Sequence, residues 1–283
     1  MKIITSRKSG FCSGVRRAYE KVKKNYSKYP KPIYILGDLV HNTYVINETR
    51  NWGIKKIFSP EEAKKGTVII TAHGIDPKII QSIRDRGVEI LNVVCPKVSR
   101  VIAKARFLKH QGRQVLIFGN KDHSEVKAIN GAIENQGVIF SDIEDLREKI
   151  KKISRKEKLG LVCQTTRNID EFKQIKQELL DNFPNIKVIN TICSATYKRQ
   201  KEAKEKAREA DVVIVIGSPF SANSKELYKI CKKLNQKTYF VDKPIDLKKQ
   251  WFKKDCRVWI CTGASIPDYL IKQFEEKLKS YDL

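Results

Sequence analysis

Short apolar runs rich in β-branched residues recur along this chain, and an amphipathic helical pattern follows most of them. The run at 212–216, Val-Val-Ile-Val-Ile, is apolar throughout and ends at Gly217. A run with no polar face fits a strand buried on both sides, as in a parallel sheet flanked by helices. The predicted strands are 33–36, 68–71, 88–94, 115–118, 138–141, 159–164, 186–192, 212–216, 238–241 and 258–262. The predicted helices include 15–29, 77–86, 98–111, 170–182, 196–210 and 224–234, and another helix start lies near Glu125. Connections are short, and no stretch reads as a long linker or low-complexity tract. At 283 residues the chain is too long for one small core and fits two or three domains. No apolar run approaches the roughly 20 residues of a membrane span. Residues 1–6, Met-Lys-Ile-Ile-Thr-Ser, lack the long apolar stretch and cleavage site of a secretory signal, so a cytoplasmic protein is expected.

The formal net charge is +25, which raises the question of an anionic partner. The surplus is spread evenly: +10 over residues 1–94, +7 over 95–192 and +8 over 193–283. There is no basic arm or tail. Lysines outnumber arginines 42 to 15, and arginine is the better residue for forked contacts to phosphates and bases. A solvated lysine-rich surface is the reading favoured over nucleic-acid binding, and no membrane contact is expected.

In open parallel sheets, ligands gather at the carboxyl ends of the strands. An unusual set of polar residues occupies that station here. Cys12 follows the opening run, His41 follows 33–36, His73 follows 68–71 and Cys95 follows 88–94. His123 and Glu125 follow 115–118, Thr165 and Thr166 follow 159–164, and Cys193 follows 186–192. Ser221 and Asn223 follow 212–216, and Ser265 follows 258–262. Any one could be a turn or core residue; the recurrence at one architectural station points to a ligand site. Glu125 taken alone also fits a carboxylate favoured by a helix N-terminus.

Seven cysteines, an odd number without a secretion signal, argue against a disulfide framework. No Cys-x-x-Cys pair occurs, so a zinc ribbon is not expected. Cys12, Cys95 and Cys193 lie at strand-to-helix junctions, 83 and 98 residues apart, with 90 residues beyond the last. That spacing suggests three similar segments, each giving one thiolate to a soft metal site with an open position. An iron–sulfur cluster with one unligated iron fits such a site better than zinc. The spacing is equally compatible with three unrelated buried cysteines. Cys163 and Cys261 sit in apolar strands and Cys231 on a helix face, as core residues; Cys256, beside Asp255 and Arg257, is expected to be exposed.

The flanks of the three cysteines carry a resemblance. They read Gly10-Phe11-Cys12-Ser13-Gly14-Val15, Val94-Cys95-Pro96 and Ile192-Cys193-Ser194-Ala195-Thr196, the last followed by Arg199-Gln200. Between and after them stand His41-Asn42, Ala72-His73-Gly74, His123-Ser124-Glu125-Val126, Gln164-Thr165-Thr166, Ser221-Ala222-Asn223-Ser224 and Gly263-Ala264-Ser265-Ile266-Pro267. Each motif is weak alone, but in this order the set resembles the 4-hydroxy-3-methylbut-2-enyl diphosphate reductase family, from Gly10 to Pro267.

The resemblance implies three small α/β domains with parallel sheets, in a pseudo-threefold cloverleaf around a central [4Fe-4S] cluster. They would span 14–95, 96–193, and 194–283 together with 1–13. Cys12, Cys95 and Cys193 would ligate iron. His41, His73, Ser221, Ala222, Asn223 and Ser265 would line the diphosphate site, and Glu125, His123 and Thr165 would handle protons and contact the substrate. The implied activity is the two-electron reductive dehydroxylation that yields isopentenyl and dimethylallyl diphosphate, the last step of the non-mevalonate isoprenoid pathway. Electrons would come from a ferredoxin or flavodoxin. The oligomeric state is open between monomer and homodimer.

The chain departs from the family pattern at Asn120, Ser124, Val93-Val94, Pro219-Phe220 and Ala222. Two other readings therefore stand beside the first. One is a diverged cluster-bearing paralogue acting on another allylic or phosphorylated substrate. The other is a non-catalytic basic protein that binds nucleic acid or a protein partner.

Overall fold

The structure is a computed structural model that describes residues 1–281, so the last two residues of the expected third domain lie outside it. Three four-stranded sheets are present among the described residues, and every strand pairing is parallel. The α/β expectation drawn from apolar runs is met in all three. No helix among the described residues is long and apolar enough to cross a membrane.

The chain divides into two compact units. The first comprises residues 1–16, 40–47 and 194–283. Its sheet has the order β1 (Lys2–Thr5), β12 (Arg257–Thr262), β10 (Val212–Ile216), β11 (Thr238–Val241). Alternation decides which helix covers which face. Val213, Val215, Trp259 and Cys261 pack against α8 (Ser194–Glu209) and α9 (Ala222–Leu234) through Ala203, Ala207, Leu227 and Ile230. Val212, Ile214, Ile216, Val258 and Ile260 turn the other way, onto Leu270, Ile271, Phe274 and Leu278 of α10 (Asp268–Lys279). Both faces are buried, which is why these strands read as apolar throughout.

The second unit comprises residues 17–39 and 48–193 and holds two sheets. One has the order β3 (Lys55–Ile57), β2 (Ile33–Leu36), β4 (Thr67–Ile70), β5 (Glu89–Asn92). The other has the order β7 (Val138–Phe140), β6 (Gln114–Phe118), β8 (Leu159–Cys163), β9 (Lys187–Val188). In the latter, Leu116, Phe118, Leu161 and Cys163 face α7 (Ile169–Asn182), while Val115, Ile117 and Val162 face α4 (Pro96–His110) and α5 (Ser124–Gly131).

Helix starts follow local chemistry. Asp76 accepts from the Lys78 N–H at the head of α3 (Pro77–Asp85), with Pro77 in the first helical position. Asn168 accepts from the N–H groups of Asp170 and Glu171 at the head of α7. Such caps satisfy donors that a helix leaves unpaired.

Two expectations are corrected. The strand expected over 186–192 pairs only at Lys187–Val188. Beyond it the Thr191 side chain replaces the ladder: its Oγ1 accepts from the Cys163 N–H at 2.8 Å and donates to the Cys163 carbonyl at 2.6 Å. Cys256 is buried rather than exposed. Asp255 takes a left-handed φ of 66° and turns the following residue into the core beside Leu247, Phe252 and Val258.

Candidate active site

Every residue singled out at a strand end occupies the expected station. Cys12 lies between β1 and α1 (Ser13–Asn25), His41 after β2, His73 after β4 and Cys95 after β5. His123 and Glu125 follow β6, Thr165 follows β8 and Cys193 follows β9. Ser221, Ala222 and Asn223 follow β10, and Ser265 follows β12.

The second unit joins His73, His123, Glu125, Thr165, Cys95 and Cys193. His123 caps α5, its Nδ1 accepting from the Glu125 N–H at 3.1 Å. An accepting Nδ1 leaves the neutral ring's proton on Nε2. The His73 ring meets it edge-on, with centroids 5.5 Å apart. Glu125 is only 2% exposed. Its Oε1 accepts from the Thr165 N–H at 2.7 Å and its Oε2 from the Thr165 hydroxyl at 2.8 Å. Burial raises its pKa from 4.5 to about 7, against the opposing pull of the two Thr165 bonds. A carboxyl group that changes protonation near neutrality is suited to donating a proton. Close packing keeps it there: a Cβ on Gly119 would lie 2.5 Å from Val126, the residue after Glu125.

Backbone bonds tie one cysteine to the acid's partner and another to the segment beside His73. The Cys193 N–H donates to the Thr165 carbonyl at 3.0 Å, and the Cys95 N–H to the carbonyl of Ala72, beside His73, at 3.0 Å.

The first unit gathers a different set of donors. Ser221 caps α9, its Oγ accepting from the Ser224 N–H at 3.3 Å. Asn223 is 8% exposed, and its amide nitrogen is buried without a hydrogen-bond partner. An unpaired buried amide costs about 1–3 kcal/mol, a penalty that an anionic ligand would relieve. The Ser265 hydroxyl donates to the His41 carbonyl at 3.2 Å. Gly217 and Gly263, at the ends of β10 and β12, close on Ser224. A Cβ on either glycine would lie within 2.6 Å of the Ser224 hydroxyl oxygen.

The three junction cysteines are the half-buried ones, whereas Cys163, Cys231, Cys256 and Cys261 are buried. Partial exposure sets Cys12, Cys95 and Cys193 apart from the four core cysteines. Each begins a helix: the Cys12 carbonyl accepts from the Arg16 N–H, the Cys95 carbonyl from the Ser99 N–H, and α8 starts directly after Cys193. The Val15 N–H points at the Cys12 Sγ, 3.5 Å away. Burial pushes the Cys163 thiol up to about 11 and the Cys261 thiol well above its ordinary value, so both remain unreactive thiols.

A family model described as LytB protein matches residues 3–279. The chain belongs to the LytB family. Curated LytB relatives include the 4-hydroxy-3-methylbut-2-enyl diphosphate reductase of Aquifex aeolicus, 35% identical over 98% of this chain and 96% of that protein. The protein of the same name from Geobacter sulfurreducens is 33% identical over 100% of this chain and 98% of its own. A solved structure titled as the (E)-4-hydroxy-3-methyl-but-2-enyl diphosphate reductase, the terminal enzyme of the non-mevalonate pathway, is 35% identical with a TM-score of 0.71, over 99% of both chains. The Plasmodium falciparum reductase structure reaches a TM-score of 0.91 at 27% identity, over 99% of this chain and 88% of its own.

In this LytB chain the departure at Phe220 leaves the neighbouring polar residues buried. Phe220 is 71% exposed, while Ser218, Ser221 and Asn223 stay buried. Two supporting residues had no role assigned from sequence. Thr262 is buried and accepts from the Gly10 N–H at 2.8 Å. Arg199 was visible only as a motif member, yet it is buried and reaches the Gly10 carbonyl.

Proposed function

We propose that this chain reduces 4-hydroxy-3-methylbut-2-enyl diphosphate to isopentenyl and dimethylallyl diphosphate. The observation that carries this reading is the buried Glu125–Thr165 pair, poised to release a proton near pH 7 within a chain of the LytB family. The overall change consumes two electrons and two protons. The carbon–oxygen bond breaks, the hydroxyl leaves as water after taking one proton, and the allylic carbon frame takes the other.

Cys12, Cys95 and Cys193 are assigned as the ligands of a [4Fe-4S] cluster. Three half-buried thiols at helix starts fit it, and three ligands for four irons leave one iron open. When bound, the cluster supplies single electrons and a Lewis-acidic iron for the substrate hydroxyl. A small reduced carrier, ferredoxin or flavodoxin, is the matching electron source.

The chain's own residues do the rest. Ser221, Asn223, Ser265, His41 and His73 hold the diphosphate, with the α9 N-terminus adding positive potential. Ala222 brings only its backbone N–H. Glu125 gives the proton that turns hydroxide into water, and Thr165 fixes both carboxyl oxygens during that transfer. His123 holds the start of α5, and thereby Glu125, in place. The three sheets support three domains at 14–95, 96–193, and 194–283 with 1–13, each bringing one cysteine and its own part of the polar set.

Asn223→Ala tests the substrate assignment. Losing a hydrogen bond to a charged group costs about 1.5–3 kcal/mol. KM for the hydroxylated diphosphate is thus expected to rise roughly 10–100-fold, with kcat much less affected. An unchanged KM in steady-state assays would remove Asn223 from the diphosphate site.

A further inference from the structure

We infer that Arg199 is a positioning residue: its buried guanidinium holds the loop that presents Cys12 and sets how firmly that thiolate retains iron. The inference rests on Cys12 being a cluster ligand and goes beyond it by naming what keeps that ligand in place.

Arg199 lies in the second turn of α8 and is 7% exposed. Its Nη2 donates to the Gly10 carbonyl at 2.7 Å, a buried bond between residues 189 positions apart, and Nη1 lies 3.5 Å from the Ala195 carbonyl. Burying an arginine is costly, so the bonds it makes have to be strong and well aimed. Its target is the peptide two residues before Cys12. The other side of Gly10 is fixed as well, its N–H donating to the Thr262 hydroxyl, which in turn donates to the Gly263 carbonyl at 2.9 Å. The Cys12 N–H then donates to the Ala264 carbonyl at 3.0 Å.

The loop is thus gripped from two elements, its carbonyl by α8 and its amides by the end of β12. The conformation tolerates no substitute at Gly10. Its φ is +87°, and a Cβ there would lie 2.4 Å from the Asp268 carboxylate. Arg16, on the far side of Cys12, pairs with that same carboxylate at 2.9 Å. Without Arg199 the Gly10 carbonyl loses a buried charged donor, and the loop keeps its β12 anchors and, at its start, the Glu202 contacts to Ser6 and Arg7. Lysine would retain the charge but not the fork, which separates position from charge.

The test compares Arg199→Met, Arg199→Lys and a core control, Phe252→Leu, whose site lies among the residues packed under the opposite face of the sheet. Amide hydrogen exchange over residues 10–15 of the metal-free protein reads the loop directly. After anaerobic reconstitution with iron and sulfide, iron release to a chelator reads the grip. Both rates are expected to rise about tenfold in Arg199→Met, with partial recovery in Arg199→Lys and no local change in Phe252→Leu, the signature of a lost buried charge-assisted bond. Unchanged exchange in Arg199→Met, or an equal rise in Phe252→Leu, would overturn the inference. Should the wild-type protein assemble no cluster, that failure counts against Cys12 as a ligand. The exchange rates still decide whether Arg199 holds the loop.

Discussion

Glu125→Gln is expected to lower turnover by about 10²–10⁴-fold while iron and sulfide contents stay at the wild-type level. Gln keeps the shape of Glu, and its amide oxygen still accepts one of the two bonds from Thr165, so the fold around it survives. What it lacks is a proton to give. The wild-type pH profile carries the same signature: turnover that needs the acid form falls as pH rises through about 7. That limb is absent from the residual activity of Glu125→Gln.

Stability moves in the linked direction. Glu125 has a folded pKa of about 7 against an ordinary value of 4.5, raised by burial. Its contribution is fully present below about 4.5 and is lost as pH rises through about 7, where the buried group ionises. Gln has no charge to bury. Thermal melts are therefore expected to show Glu125→Gln gaining on the wild type between pH 5 and pH 8. A gap that moves the other way would mean the native site favours the anion.

Replacing any one of Cys12, Cys95 and Cys193 by Ser is the second large effect. Each variant is expected to retain about tenfold less iron after desalting, because metal affinity depends on a full set of deprotonated ligands. Cys231→Ala and Cys163→Ala are the controls. Both residues are buried, Cys231 on α9 among the residues packed on the sheet and Cys163 in β8 beneath α7, and their loss reduces packing without touching a proposed ligand. Their iron content is expected to match the wild type. Equal loss in a control variant would show that iron retention follows fold stability alone.

Much of this was legible in the chain because two-sided burial makes a strand apolar end to end. The runs at 212–216 and 159–164 announced β10 and β8 almost to the residue. Two of the edge strands, β1 and β3, give no such signal. Lys2–Thr5 and Lys55–Ile57 are partly exposed, and only the opening run hinted at the first of them. Short helices escaped for a related reason. Helices α2 (Thr43–Asn51) and α6 (Ile143–Ile150) have nine and eight residues, too few turns for a period of 3.6 to show. The strand expected to reach Ile192 stops early because a threonine hydroxyl imitates the ladder, an exchange no apolar pattern reveals.

The strand-end stations of the candidate residues were legible in the chain. Strand-end positions gave the station, and the order of motifs gave the family. Pairing was not legible. Nothing in the sequence joins Glu125 to Thr165, 40 positions away, or Arg199 to Gly10. Those contacts arise where parallel strands deliver distant segments to one edge. The net charge of +25 proved the least informative feature. The groups proposed to hold the diphosphate are mainly hydroxyls, an amide and imidazoles, none of which that count includes.

The most direct test is anaerobic turnover of the wild-type protein, reconstituted with iron and sulfide and supplied with a strong one-electron reductant. The expected result is a bound cluster and conversion of 4-hydroxy-3-methylbut-2-enyl diphosphate into both isopentenyl and dimethylallyl diphosphate. A fully loaded cluster that leaves this substrate untouched would contradict the proposed reaction.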